Sequence, residues 1–452
     1  MEELLSVGID LGTTTTQMIV SSLRLENTAA PFTVPRMEIT ERTILYRSPV
    51  YFTPLLSADT LDAAAIARFL EKEYAAAGIK AEQIRTGAVI ITGETARKEN
   101  AKEVLHALSD FAGDFVVATA GPALESVLAA KGAGADVAAR QQGRAVLHVD
   151  IGGGTANLAL FDAEGELMDT GCVNVGGRLL KFDENGAVLY RSPVLCRWDE
   201  FAVGKTASAD RLQPLIEELV HILEQACGLR PRDERLQHYI TDRVFTVPAG
   251  ALLSFSGGVA DLMEDENTPW LRYGDLGVLL GRAIRSSRLC AVDYRLGKET
   301  IRATVVGAGS HATELSGSTV CCRGVTFPLQ NLPVVALSQS ECAMDSKSLA
   351  SCIRKKAEVY DEPVALSLGN LPVQSFSSLQ RLAQAITAGL RQQPTVVIME
   401  HDQAKALGNA IPAEQLVCLD GLHAAGGSYL DLSAPVADGS ALPVVIKTLA
   451  FS

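Results

Sequence analysis

The sequence predicts an α/β protein built from two duplicated halves that face each other across a cleft, followed by a C-terminal region of different pattern. Three observations carry this. An apolar run ending in an aspartate-glycine turn and followed by a second apolar run occurs twice, with the two aspartates, Asp10 and Asp150, 140 residues apart. The hexapeptide Leu45-Tyr46-Arg47-Ser48-Pro49-Val50 returns letter for letter as Leu189-Tyr190-Arg191-Ser192-Pro193-Val194, at an offset of 144. Two features recurring in one order at nearly one offset point to related halves. Finally, 38 glycines with only 5% aromatic residues suit the tight turns and close backbone approaches of an α/β chain better than a β-sandwich.

The first element is Leu4 to Ile9, a strand that closes on Asp10-Leu11-Gly12-Thr13-Thr14-Thr15-Thr16 and continues as Met18 to Val20. Leu61 to Ala77 is alanine-rich with apolar residues near helical spacing. The second hairpin is Ala145 to Val149, the turn Asp150-Ile151-Gly152-Gly153-Gly154-Thr155, and Ala156 to Phe161. Leu212, Leu215, Ile216, Leu219, Val220 and Leu223 form the buried stripe of a helix that ends by Gly228, with Pro231 beyond. Leu252 to Phe255 reads as a strand leading into Gly257-Gly258, and Leu276 to Ile284 as an apolar helix. The tail offers Ile301 to Val306 and Val396 to Met399 as strands and Phe376 to Leu390 as a helix. The resulting division is 1–145 for the first half, 146–289 for the second and 290–452 for the C-terminal region.

With 40 basic and 53 acidic side chains, the chain carries a formal charge of −13, which argues against a backbone-tracking nucleic-acid binder. Hydrophobic residues at 47% and charged residues at 21% exclude a disordered chain. The nine cysteines include no Cys-x-x-Cys spacing, so reduced thiols are expected rather than a disulfide framework or a zinc site. Met-Glu-Glu-Leu-Leu lacks the basic region of a secretory signal, and no apolar stretch reaches 18 residues. A cytoplasmic protein with no membrane span is expected.

An aspartate at the end of a buried strand, followed by glycines, places a carboxylate at a cleft beside bare amides. Glycine admits a phosphate close to those amides, and threonine hydroxyls add donors. Each turn alone is also what a plain hairpin needs where glycine supplies positive φ. As a facing pair they would grip a polyphosphate from both sides, with Asp10 and Asp150 holding a hydrated magnesium ion. Gly257-Gly258 could pass close to a flat ring such as adenine, or could simply start a helix packed on a strand.

These residues also carry a resemblance. Gly8 to Thr14 is similar to the first phosphate motif of the actin, Hsp70 and sugar-kinase superfamily, His148 to Thr155 to its second, and Phe255 to Met263 to its adenosine motif. Tyr273 to Ala283 resembles the helix after that motif, and Gly121 to Ser126 the first interdomain connection. The order is the superfamily's own, which implies duplicated actin/Hsp70-like ATPase domains with ribonuclease H-like halves and a C-terminal extension. Narrower likeness lies in Ile91 to Ala101, His311 to Val320 and Pro443 to Leu449, which resemble the ethanolamine ammonia-lyase reactivating factor family.

That resemblance implies an ATP-dependent, chaperone-like reactivase that releases damaged cobalamin from inactivated ethanolamine ammonia-lyase, so that intact adenosylcobalamin can bind. It implies ATP and Mg2+ as cofactors, with Asp10 and Asp150 on the metal and Asp10, Asp150 and Glu125 as catalytic residues. The nucleotide contacts implied are Gly12, Thr13, Thr14, Thr15, Gly152, Gly153, Gly154, Thr155, Gly257 and Gly258. A place in the bacterial ethanolamine microcompartment and homo-oligomerisation stay open. Two departures from the Hsp70 pattern stand out: Gly121 occupies the place of an acid, leaving Glu125 as its substitute, and Asn157 replaces an aspartate, which should weaken the hold on the metal or slow water activation, the latter suiting a switch. A small-molecule kinase and an actin-like structural protein are the rivals on this fold, and no clear catalytic-base aspartate supports the kinase.

Other signals fail. Gly204-Lys205-Thr206 cannot end a P-loop because position 199 is Asp199. Gly307-Ala308-Gly309 fits a Rossmann fingerprint loosely, without the acid about 20 residues on, so a turn is expected there. Asp420-x-x-His423-x-x-Gly426 is one residue too long for a cobalamin-protein motif, and a polar loop is expected.

Overall fold

The computed structural model describes residues 2–12, 15–30, 36–57, 60–91, 100, 104, 122–311, 313–317, 319–360, 362–369 and 371–447. β1 (Glu2–Leu11) and β2 (Thr15–Asn27) form an antiparallel hairpin about the first glycine turn. β2 also pairs with β3 (Met37–Arg47) and with the short β4 (Tyr51–Phe52). A ribbon of β5 (Leu55–Ser57) and β6 (Thr60–Leu61) leads into helix α1 (Ala63–Ala77), and β7 (Ile84–Ile91) returns parallel to β1. Helix α1 starts after Asp62 because that carboxylate accepts from the Ala65 amide at 2.9 Å, and it stops where Gly78 turns left-handed at φ 69°. Ile66, Phe69, Leu70 and Tyr74 bury its inner face against the sheet.

Helices α2 (Pro122–Gly132) and α3 (Ala135–Gln142) precede the second sheet. Its strands are β8 (Val146–Ile151), β9 (Ala156–Phe161) and β10 (Leu167–Val173), and beside it lies a two-stranded ribbon, β11 (Leu180–Phe182) with β12 (Val188–Arg191). Helix α4 (Ala209–Ala226) crosses to β13 (Leu252–Ser256), then α5 (Gly277–Arg285) leads to β14 (Tyr294–Leu296). The order β3-β2-β1-β7 of the first sheet recurs as β10-β9-β8-β13, with β14 added at the edge. In each, two antiparallel pairings precede a helical crossover to a parallel strand. The duplication is therefore in the topology itself. The repeated hexapeptide is not part of it: its first copy closes β3 inside the main sheet, whereas its second forms β12 in the ribbon.

Two expectations for the following segment are corrected. Residues 301–306 are not a strand, and Gly307-Ala308-Gly309 is not a turn; both lie largely within helix α6 (Ala303–His311). Thr304, Val305 and Val306 favour a strand locally, but every residue from Ala303 to Ser310 is buried, and tertiary packing overrides so short a preference. Glycines let this helix lie directly on its neighbours. A Cβ on Gly307 would overlap the Leu128 carbonyl of α2, one on Gly132 the Ala303 carbonyl, and one on Gly8 of β1 the Val305 carbonyl. The expected division at 290 is corrected as well, since β14 belongs to the second sheet and α6 packs on the first. So is the division at 145, because α2 packs on β8, β9 and β10.

The C-terminal sheet begins at β15 (Glu314–Leu315), followed by β16 (Val320–Arg323) and β17 (Leu329–Ala336). Helices α7 (Ser346–Ala357), α8 (Phe376–Gly389) and α9 (Ala404–Ala410) alternate with β18 (Ala365–Ser367), β19 (Thr395–Ile398) and β20 (Leu416–Leu419), giving a parallel run β17-β18-β19-β20. The three helices cover one face; β21 (Tyr429–Leu432) and β22 (Pro443–Lys447) contribute to the apolar layer on the other. This unit docks on the first half: Val445 joins Ala88, Ile90, Leu128 and Ala308, while Val436 and Ala441 meet Leu4, Leu23 and Leu25. Asp420 is an internal anchor, accepting from the Thr319 and Ala404 amides, and His423 points outward beside Glu400. All nine cysteines are free thiols, and among the described residues no helix is long and apolar enough to cross a membrane.

The α2–α6 crossing yields a test by sign. Alanine in place of a mid-helix glycine stabilises by about 1 kcal/mol on propensity alone, whereas overlap with a fixed carbonyl costs about 1–3 kcal/mol. Gly307→Ala is expected to lower the melting temperature in calorimetry; a rise would show the contact to be loose.

Candidate active site

β1 and β8 are inner strands of their sheets and end at one cleft, so their terminal carboxylates converge. Asp10, Gly12, Thr15 and Gln17 line one wall of a cavity of about 290 Å³; Asp150, Gly152, Gly153, Gly154, Thr155 and Asn157 line the other, with Glu125 of α2 between them. The two turns share one backbone hydrogen bond. The Gly12 amide donates to the Thr15 carbonyl at 2.9 Å and the Gly152 amide to the Thr155 carbonyl at 3.0 Å. Asp10 lies opposite Gln17 and Asp150 opposite Asn157 across the two hairpins. Thr13, Thr14 and Gly121 lie outside the described residues, as do residues 92–99, 101, 312, 318, 448 and 449 of the stretches that carried the narrower resemblance.

Gly152, Gly153 and Gly154 are not in the left-handed region, so positive φ does not explain them. Space does: a Cβ on Gly154 or on Gly258 would meet nothing within 4 Å and would project into the opening that a ligand would fill. Gly257 differs. Its φ of 90° and its seat on the Ile151 carbonyl require glycine for the backbone, and it thereby ties the end of β13 to the end of β8.

Sequence reasoning missed Gln17 and Arg178. Gln17 donates its Nε2 to the Ile301 carbonyl at 3.2 Å, leaving Oε1 buried without a hydrogen-bond partner, and Asn157 Oδ1 is orphaned in the same way. A buried oxygen left unpaired costs about 1–3 kcal/mol, and both residues line the cleft. The signal was available, because Gln17 and Asn157 stand at the same 140-residue offset as the aspartates. Arg178 follows a glycine pair whose closeness to the second turn is enforced by two bonds, Gly177 amide to Gly152 carbonyl at 3.0 Å and Arg178 amide to Gly153 carbonyl at 2.6 Å. Its side chain lies over Gly153 and pairs with Asp275, Nε to Oδ2 at 3.2 Å. Asp275 in turn accepts from the Gly277 amide at the start of α5. Val259, Leu262 and Tyr273 supply an apolar end to the same cavity.

The donor set is therefore two carboxylates and two amide oxygens, all hard ligands, beside open glycine turns. Among the described residues no three His, Cys, Asp or Glu side chains gather to hold a metal alone. Such a set fits a cation that takes one or two carboxylates and completes its shell with water and phosphate, as magnesium does.

The model of the family described as ethanolamine utilisation protein EutA matches residues 2–452. The chain belongs to that family. Curated relatives named ethanolamine ammonia-lyase reactivase EutA are 39% identical in Salmonella typhimurium and 38% identical in Escherichia coli K12, each match covering 99% of both chains. Among solved structures, the ethanolamine utilization protein EutJ of Carboxydothermus hydrogenoformans is similar at 16% identity with a TM-score of 0.34, over 68% of this chain and 89% of that one.

Burial sets the electrostatics of this EutA-family cleft. It pushes Asp150 up to about 6, against the opposing effect of a hydrogen bond from Ser256. Glu125 is held well above the usual carboxylate range by desolvation first, then by the charges of Asp150 and Asp10, with a hydrogen bond from Asn157 opposing. The charges of Asp150 and Asp10 thus both bear on Glu125, whereas Asp150 itself is raised by burial.

A raised carboxyl pKa means that the folded protein binds the proton more tightly than the unfolded chain, so its stabilising contribution is present below about 4 and is lost as pH rises through about 6. In metal-free protein, Asp150→Asn removes this loss, worth roughly 2–4 kcal/mol at pH 7.5. The variant is expected to melt above the wild type at pH 7.5, with the gap shrinking towards pH 4.5. A pH-independent gap in differential scanning calorimetry would contradict the assignment.

Proposed function

We propose that this EutA-family chain is an ATP-dependent, chaperone-like reactivase of ethanolamine ammonia-lyase, promoting release of damaged cobalamin so that intact adenosylcobalamin can bind. One observation carries the ATP reading: two Asp-Gly turns with orphaned amide oxygens face each other across one cleft in duplicated halves. The partner and its reactivation are named by the curated relatives, matched over 99% of both chains, and the exchange of cobalamin is what the family resemblance implies.

Asp10 and Asp150 would hold Mg2+, and the ion, when bound, neutralises phosphate charge. The open turns at Gly12 and Gly152 to Gly154, with Thr15 and Thr155, would receive the phosphates on backbone amides and hydroxyls. Arg178 offers a cation beside the second turn, already oriented by Asp275. Gly258, with Val259, Leu262 and Tyr273, suits a flat apolar base. Glu125 lines the same cleft within electrostatic reach of both aspartates and would take the proton from water. Thr13 and Thr14 complete the expected nucleotide contacts. A ligand touching both walls favours the closed cleft, and it can change the affinity of an outer surface only through that difference in binding. The address proposed is cytoplasmic, in keeping with the lack, among the described residues, of any helix long and apolar enough to cross a membrane.

Asp10→Asn and Asp150→Asn should each reduce ATP hydrolysis roughly a hundredfold or more, with the circular dichroism spectrum unchanged. With inactivated ammonia-lyase, wild-type protein and Mg·ATP should restore deaminase activity on addition of adenosylcobalamin, and neither variant should. Full ATPase activity in both variants, or restoration without ATP, would overturn the proposal.

A further inference from the structure

The second sheet carries polar side chains where an inner strand should be apolar. β8 is buried along its whole length, yet His148 and Asp150 occupy one face of it, and Ser254 and Ser256 stand beside them on β13 in parallel register. His148 Nδ1 is 3.1 Å from Ser254 Oγ, His148 Nε2 is 2.8 Å from Ser256 Oγ, and the Ser256 hydroxyl donates to Asp150 Oδ1.

The end group sets the direction of every bond. A carboxylate only accepts, so Ser256 spends its single proton there and its oxygen must accept from His148 Nε2–H. A neutral imidazole then has a bare Nδ1, which accepts from the Ser254 hydroxyl. His148 is fully buried, and its two ring nitrogens meet serine hydroxyls rather than a carboxylate that would hold an imidazolium. The equivalent positions of the first half, by the 140-residue offset and the β1–β7 register, are Gly8, Ala88 and Ile90. The network is thus a feature of one half only, and Gly8 has to stay glycine for the α6 contact.

We propose that Ser254, His148 and Ser256 form a one-way hydrogen-bond relay that positions Asp150, tying Oδ1 to the sheet and leaving Oδ2 to face the cleft. This rests on the reading of the cleft as a magnesium-nucleotide site. Partners behind a metal-binding carboxylate are worth about 10–100-fold in metal affinity, which accounts for a polar network in a position where apolar side chains would pack at lower desolvation cost. His148 and Ser256 are positioning residues: they act on the cation through Asp150 and touch no substrate.

Nitrogen-15 NMR of the full-length, nucleotide-free protein at pH 7 tests the relay directly. His148 is expected as the neutral Nε2–H tautomer; the Nδ1–H tautomer or an imidazolium overturns the proposal. Calorimetry with ADP, with and without Mg2+, tests the consequence. Ser256→Ala should weaken Mg·ADP binding about tenfold while metal-free ADP binding changes less than about twofold. His148→Gln, which keeps a donor and an acceptor, should stay within about threefold of wild type, and His148→Leu should not. Equal losses with and without Mg2+, or an unchanged Mg·ADP affinity in Ser256→Ala, would reduce the network to packing and sink the idea. Should the wild type fail to bind ADP, the nucleotide reading falls by itself, and the tautomer still decides the relay.

Discussion

The contact on which the rest depends is the backbone-to-backbone seat of α6 on α2 and β1. Gly307 against Leu128, Gly132 against Ala303, and Gly8 against Val305 bring three elements closer than any side chain allows. Helix α2 packs on the second sheet and α6 on the first, so their crossing fixes one sheet against the other. Asp10 and Asp150 sit at the ends of the strands so placed. A methyl group added at Gly307, Gly132 or Gly8 would overlap a backbone carbonyl of the neighbouring element.

The same geometry creates an electrostatic load. Three acids meet in a protein that already carries a charge of −13, so neither net attraction nor a basic patch can recruit a polyphosphate. What the cleft offers instead is local: bare amides, hydroxyls, two unpaired amide oxygens and the single Arg178–Asp275 pair. Burial raises both Glu125 and Asp150, and a cation that takes the two aspartates would offset the charges of Asp150 and Asp10 that raise Glu125 further. Fold stability and ligand binding are then coupled through the same side chains.

The hairpins were legible because glycine after a strand-terminal aspartate is a local event, and recurrence at a fixed offset needs no tertiary information. The stripe of α4 was legible for the same reason: Leu212 to Leu223 bury at the helical period. Segment 301–311 was not, since its β-branched residues and glycines read as strand and turn until α2 and β1 surround them. Arg178 escaped because nothing local marks it. Its role comes from Gly153 and Asp275, which lie 25 and 97 residues away in sequence. The hexapeptide repeat misled in the opposite sense, being identical in letters and different in place.

By itself the sequence determined the two Asp-Gly turns, their duplication, the family and the glycines and carboxylates at the ends of the cleft-facing strands, because each of these is written in short-range pattern. Only the tertiary structure decided that Gln17 and Asn157 present unpaired oxygens, that Gly257 serves the backbone while Gly258 opens to the cleft, and that His148 stands between two serines behind Asp150. Those outcomes depend on which strand lies beside which, and strand pairing is set by the burial of whole faces rather than by any one residue.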